Sequence, residues 1–461
     1  MPELTKAISI ADMTAIRKYW IALIFSGFAA FSFAQDHHGH HDHATGQHDH
    51  AAGQPADSHP ADVHAADTTA HHTEAGHTGH ESACGHSVSA EQPFNAGDNA
   101  VHHISDANVI HIFGETYLNL PAILKTENGW HVFSTSALHP HHHGNGEQSH
   151  EGFVLVHGSI MRIQGGVMAD QDYHIEDYTH QDVEAGGKKK VVYNAVINGQ
   201  CYPLEAKTTY DGGILGGGVT SFMDFSITRN VFTMLLTVIV LFLIFRAVAV
   251  AATKRRGEAP KGLQNFIEPF YTFIRDEVAK PNIGHHYEKY MPYLLSAFFF
   301  ILGLNLIGQV PFFPGSANVT GNISITFVLA VITFLISTFS ANKHFWEHTL
   351  WMPGVPAVLK IFILTPIEIL GLFLKPFTLL LRLFANITAG HIVILSFVSL
   401  IFILGKSGES TSGSIMGVTA SIPLTLFMMT LELLVAFLQA FIFTMLSATY
   451  IGTAIEEPHH H

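Results

Sequence analysis

Near the carboxyl end of the chain, one arginine stands where lipid-like residues surround it on both sides. Arg382 lies in Leu379-Leu380-Leu381-Arg382-Leu383-Phe384, far from either end of its apolar segment. A guanidinium does not deprotonate in proteins, so this is a permanent charge. Insertion scales put its cost at about 2.5–3.5 kcal/mol at a helix centre, and such residues mark ion pathways by default. The alternative is a structural ion pair with a neighbouring acid. Glu368, Lys375 and Arg382 recur every seven residues, and Gly371, Thr378 and Asn386 fall on the same helical stripe. His391 lies nine residues beyond Arg382 and points to the opposite side at about 100° per residue. In the final apolar segment Glu432 and Gln439 share a face, with Thr425 and Thr430 nearby. A Glu and a His brought together in apolar surroundings can exchange a proton near neutral pH. The competing reading of His391 is a hydrogen-bonded packing residue.

The elements that must hold these groups are over-long. Pro366 to Leu404 is about 39 residues, or ~58 Å if helical, against a hydrocarbon core of ~30 Å. Ile422 to Ile455 gives about 50 Å on the same arithmetic. Both segments must tilt steeply, bend or break, with Pro366 and Pro376 as candidate kinks. Lys406 to Thr419, rich in Gly and Ser, reads as the turn between them. Three earlier spans are expected. Val231 to Ala252 reads as a clean apolar run followed by Lys254, Arg255 and Arg256. By the positive-inside rule that end is cytoplasmic. Met291 to Val310 then crosses out and Ile323 to Phe339 back in, with no Lys or Arg in the loop from Phe312 to Asn322. Residues 260–279 read as an interfacial helix in which Pro269 marks a start or a kink.

The amino-terminal half has another composition. Arg17 and Lys18, the apolar run Tyr19 to Phe33 and Ser32-Phe33-Ala34 resemble a secretory signal over residues 1–34, with an uncleaved anchor as the alternative. Met13 would give that signal a more conventional length. Residues 35–104, and His37 to His86 above all, are His-rich, low in large apolar residues and expected to be disordered. The runs His37 to His43 and His139 to His143 can chelate zinc or copper loosely, but no fixed ligand spacing accompanies them. No specific metal site is assigned. Residues 105–218 read as a small β-rich domain plus a Gly-rich linker, with hairpins expected at Asn128-Gly129 and Asn198-Gly199. The glycines from Gly212 to Gly218 lack the strand-then-helix context of a phosphate loop. Cys84 and Cys201 can pair or remain thiols.

Across its 461 residues the chain is 48% hydrophobic and only 13% charged, which fits bilayer residence for residues 219–461. A formal net charge of −14 gives no case for nucleic acid. The expected architecture is an all-α polytopic membrane protein. Its five crossings lie at about 231–252, 291–310, 323–340, 356–404 and 422–455, the last two steeply tilted, and it carries a small β-rich extracytoplasmic domain.

Several motifs together resemble the membrane-embedded a subunit of F-type rotary ATP synthases. They are Lys375-Pro376, Leu381-Arg382-Leu383-Phe384-Ala385-Asn386, Ala389-Gly390 and Leu438-Gln439-Ala440-Phe441-Ile442-Phe443. The Ser316-Ala317-Asn318 loop, Glu368 and the Glu456-Glu457 ending are similar too. The resemblance covers roughly 220–458 and leaves out the amino-terminal extension. It implies five crossings packed against a rotating ring of c subunits, with a b-type stalk subunit and membrane lipid as further partners. It also implies an inner-membrane location, an outside amino-terminal region and a cytoplasmic carboxyl end. Arg382 would face the ring and separate two aqueous half-channels. Asn386, His391, Glu432 and Gln439 match the outer half-channel, and Glu368 matches an acid near the inner one. Such a subunit translocates ions without a catalytic site or cofactor of its own. Some bacterial members carry Glu and His at the positions of His391 and Glu432, the reverse of this chain. A His-tail metal transporter or metal-sensing membrane protein is the alternative; it predicts acid or His clusters within several spans.

Overall fold

The computed structural model describes residues 81–82, 85–88, 105–113, 116–141, 144–164, 169–185, 188–209, 218–255, 257–310, 317–350, 357–406 and 410–456. The expected signal segment, the His37 to His43 run, His142 and His143, Cys84 and most of the Gly-rich linker lie outside these residues.

The amino-terminal part is built from antiparallel strands. They are β1 (Glu81–Ser82), β2 (Gly85–Ser87), β3 (Val109–Phe113), β4 (Thr116–Asn119), β5 (Pro121–Thr126), β6 (Gly129–Ser134) and β7 (Pro140–His141). There follow β8 (Asn145–Gly146), β9 (Phe153–Val156), β10 (Ser159–Ile163), β11 (Asp177–Ala185), β12 (Lys188–Ile197), β13 (Gln200–Glu205) and β14 (Phe222–Asp224). Seven of them form a sheet in the order β1-β2-β11-β12-β13-β10-β9, and β14-β5-β6 form a second. Strand β9 is buried on both faces because its alternate residues enter two cores. Phe153 and Leu155 pack with Leu124 and Phe222, while Val154 and Val156 pack with Ala195 and Ile197.

Both expected hairpins form, with different turns. At β12–β13 the loop is Asn198-Gly199, both with positive φ (50° and 72°), as a type I′ turn requires. At β5–β6 Thr126 pairs with Gly129, so Glu127-Asn128 is the loop and Gly129 opens the next strand at φ 133°. The Thr126 hydroxyl accepts from the Asn128 amide, a local bond that competes with the Asn-Gly turn. Cys201, the second residue of β13, is disulfide-bonded.

The remainder is helical: α1 (Arg229–Lys254), α2 (Leu263–Phe273), α3 (Tyr287–Gly308), α4 (Ile323–Ser340), α5 (Lys343–Leu350), α6 (Thr365–Leu404) and α7 (Thr411–Ile455). Five helical stretches among the described residues are long and apolar enough to cross a membrane. One of these stretches runs from Leu263 to Gly308, but Gly284, at φ 69°, separates the expected interfacial helix from the second span. Pro269 does not stop α2; a π-helical turn over Ile274–Ala279 follows it and widens the helix. The Thr272 hydroxyl donates to the carbonyls of Glu268 and Pro269 in that region.

Two expectations require correction. The final helix begins at Thr411, so most of the Lys406 to Thr419 segment is helix rather than turn. Ser410 caps the helix by accepting from the Gly413 amide at 3.2 Å. The glycines there serve close packing: a Cβ on Gly417 would stand 2.9 Å from the Ile401 Cα. Nor is the first apolar run clean: its helix is continuous from Arg229 to Lys254 and long enough to span, but Arg246 stands within it two turns before Lys254.

At 40 and 45 residues, α6 and α7 are about 60 and 68 Å long by helical rise, twice a hydrocarbon core. Neither breaks. Helix α6 continues across Pro376 and α7 across Pro423. Their mutual packing uses small residues on α7: buried Gly417 lies against Ile401, and the buried Ser421 hydroxyl donates to the Phe397 carbonyl at 2.7 Å.

Candidate functional site

The packing of α6 on α7 brings together two of the residues singled out above. The His391 Nδ1 stands 2.7 Å from the Glu432 Oε1. Neither atom has an aligned hydrogen bond, so the approach is oblique: a close polar contact. Glu432 is only 5% exposed and the His391 side chain 17%. The carboxyl lies over Gly390, where an added Cβ would meet Oε1 at 3.0 Å and Cδ at 3.4 Å. A glycine next to the histidine therefore creates the space that the acid occupies.

Sequence reasoning missed the layer that fixes α7 at this level. The Gln309 Nε2 donates to the Glu432 carbonyl at 2.9 Å, and the Asn305 Nδ2 donates to the Ala436 carbonyl at 3.3 Å. The Thr320 hydroxyl donates to the Asn305 Oδ1 at 2.7 Å. Asn305, Thr320 and Gln439 are all buried. The signal was present: Asn305 and Gln309 are two amides at i, i+4 near the end of an otherwise apolar span. Across the next connection, the Thr388 hydroxyl of α6 donates to the Gly321 carbonyl at 3.4 Å.

Arg382 lies elsewhere on α6 and is partly exposed, with Asn386 exposed one turn on. Among the described residues no carboxylate pairs with Arg382, which removes support for the structural ion pair. It is within electrostatic reach of Tyr450 on α7. Lys375 sits between two rings, its Nζ 5.8 Å from the centre of Phe345 and 5.5 Å from that of Tyr450. Glu368, partly exposed, interacts electrostatically with Lys375. The structure thus brings His391 and Glu432 together in a buried contact and leaves Glu368, Lys375 and Arg382 partly exposed on an earlier stretch of α6. Among the described residues there is no group of three His, Cys, Asp or Glu able to hold a metal ion.

A buried acid–base contact, with an arginine elsewhere on the same helix that pairs with no carboxylate among the described residues, suits proton handling, and the comparisons with known proteins agree. The family described as ATP synthase A chain matches residues 231–452, and a domain of unknown function (DUF8433) matches 100–187. The "ATP synthase subunit a 2" of Chlorobaculum tepidum is 47% identical over 241 residues, covering 50% of this chain and 64% of that protein. The "ATP synthase subunit a" of Chlorobium phaeobacteroides is 39% identical over 311 residues, covering 64% of this chain and 86% of the relative. That of Chloroherpeton thalassium is 46% identical over 243 residues, covering 51% and 69%. With one relative matched over most of its length and the site carried within the matched region, this chain belongs to the ATP synthase subunit a family.

Proposed function

We propose that the chain is the stator half of the proton turbine in the membrane sector of an ATP synthase. The observation that carries this reading is the division of polar residues on α6 and α7. The His391–Glu432 contact is buried, and Arg382 lies partly exposed with no carboxylate paired to it among the described residues. In this role Arg382 attracts the deprotonated carboxylate of each passing ring subunit and, because it cannot release a proton, blocks a direct leak. Asn386, His391, Glu432 and Gln439 line the outer half-channel. Glu368 stands at the mouth of the inner one, where protons leave or enter the ring.

Helices of about 60 and 68 Å fit a ~30 Å core only by lying steeply tilted, which presents a long flank to a ring. The basic end of α1, with Lys254 and Arg255, faces the cytoplasm and the β-rich domain faces the other side. The whole sits in the inner membrane, with a ring of c subunits and a b-type stalk subunit as protein partners. The chain has no ATP site in this scheme; rotation of the partner ring converts proton flow into synthesis. A metal-transport reading finds no ligand cluster within the described spans to support it.

The test is ATP-driven acidification of inverted membrane vesicles carrying wild-type chain or Arg382→Ala. Loss of pumping with the complex assembled is the expected result. Undiminished pumping would make the arginine structural and end this reading.

A further inference from the structure

Helix α1 carries one charged side chain between its ends, Arg246. Arg246 is exposed on the outer surface of the helix. Its neighbours on that surface are apolar and also exposed: Leu243 at 55% and Val250 at 46%. Lys254 lies eight positions beyond Arg246, about 12 Å along the axis, so the Arg246 backbone lies well inside a ~30 Å core. A charge there is costly unless an anion meets it.

The described residues supply no such anion. Helix α1 contains no Asp or Glu. Among the described residues, no carboxylate is within ion-pair distance of Arg246. Glu258, beyond the helix end, is the first acid that follows, and its amide donates to the Arg255 carbonyl. A shallow, open depression joins Arg246 to Lys254 and Arg255, with Leu243, Val250 and Ala251 along it.

We infer that this depression binds the headgroup of an anionic phospholipid. The phosphate sits between Arg246 and the two cations at the helix end, and an acyl chain lies along Leu243 and Val250. The charge count favours this occupant over an acid from a neighbouring protein helix. One carboxylate would satisfy Arg246 alone and leave two cations around the same depression. A phosphate can accept from several donors at once, and basic clusters at membrane-helix ends select anionic headgroups. Arginine also suits the place because its long apolar stem can lie along the helix while the head reaches the phosphate layer.

The experiment uses the assembled complex in phosphatidylcholine vesicles containing trace phosphatidylglycerol or phosphatidylcholine with a photoreactive acyl chain. Adducts are mapped by mass spectrometry to the segment spanning residues 239–254. Wild-type chain should be labelled several-fold more by phosphatidylglycerol than by phosphatidylcholine. Arg246→Gln should bring the two to equality, and Arg246→Lys, which keeps the charge, should retain most of the preference. Equal labelling by both lipids in wild type overturns the inference, as does a preference unchanged in Arg246→Gln. So does loss of another subunit from the Arg246→Gln complex with the lipid preference unaltered, because a protein acid would then be the partner.

Discussion

The His391 Nδ1 of α6 and the Glu432 Oε1 of α7 stand 2.7 Å apart, across the interface between the two longest helices. Their contact crosses between elements, so the pair can exist only while α6 and α7 keep their register. If the two side chains share one proton-handling task, their order across the interface is immaterial. His391→Glu alone should then cripple ATP-driven pumping, by at least about tenfold, since positioned acid–base groups contribute about 10²–10⁴-fold to proton transfer. Adding Glu432→His should restore a measurable part. Equal defects in the single and double variants, with equal assembly, would show that the two residues act separately.

Gly390 offers a finer perturbation of the same contact. Its missing Cβ leaves room for the Glu432 carboxyl, which a methyl group would approach to 3.0 Å. That is tight for a Cβ contact but falls on the end of a movable side chain. Gly390→Ala should therefore lower proton flux severalfold while the thermal stability of the complex stays within about 1 kcal/mol of wild type, the usual scale for a relieved contact. Gly390→Val, which cannot be accommodated by a shift of a few tenths of an ångström, should abolish flux. A fully active valine variant would mean that the acid does its work in another position.

Much of this arrangement was legible in the chain because lipid makes polarity conspicuous. Arg382, His391, Glu432 and Gln439 stand out when everything around them is Leu, Phe and Ile. The over-length of α6 and α7 follows from counting residues against a bilayer. Which side chains meet across the interface does not follow, because register depends on where each helix starts. Reading the Lys406 to Thr419 segment as a turn misplaced the start of α7. Glycine and serine signal turns in water, whereas between membrane helices they permit close approach, as at Gly417. Arg246 is inconspicuous for the opposite reason: a single charge hardly lowers the mean hydropathy of a run long enough to span. Asn305 and Gln309 are uncharged, and their partners are backbone carbonyls of α7, which no side-chain pattern reveals.

Those two amides make the next prediction. Gln309→Leu leaves the Glu432 carbonyl without the Gln309 donor, and Asn305→Leu removes partners from both Ala436 and Thr320. A buried polar group deprived of its partner costs about 1–3 kcal/mol. The Asn305→Leu complex should lose more thermal stability than Gln309→Leu, because it strands the buried Thr320 hydroxyl, whereas the α7 carbonyls keep their helical amide donors in both variants. Hydrogen exchange over residues 430–440 should rise in both variants. Unchanged exchange there would show that α7 is held at this level by packing alone.

The junction between the β-rich domain and α1 supplies a pH-dependent prediction. Asp106 precedes β3, yet its Oδ1 accepts from the amide of Asn230, the second residue of α1, at 3.1 Å, and from the Ala107 amide at 2.9 Å. The Arg229 amide donates to the Ala107 carbonyl at 2.7 Å, and the Arg229 guanidinium donates to the Ser105 carbonyl. The first membrane helix is thus capped by a residue 124 positions away in sequence. As a residue Asp106 is only half-buried, but its Oδ2 is sealed from solvent. Burial raises its pKa above the ordinary carboxylate value, a shift that the bond from the Asn230 amide and the charges of Lys207 and Arg229 only partly oppose. A group whose native pKa is raised favours the folded state most below its unfolded pKa, about 3.9, and that contribution is lost as pH rises through the native value. Local opening of the junction should therefore become easier from acidic towards higher pH, about tenfold for each unit by which the native value is raised. Asp106→Asn keeps the Oδ1 acceptor and removes the titration, so its opening should lose this pH dependence. The measurement is hydrogen exchange over residues 105–110 and 229–233 across the pH range, corrected for intrinsic exchange. Parallel pH profiles for wild type and Asp106→Asn would show that the junction does not feel the charge.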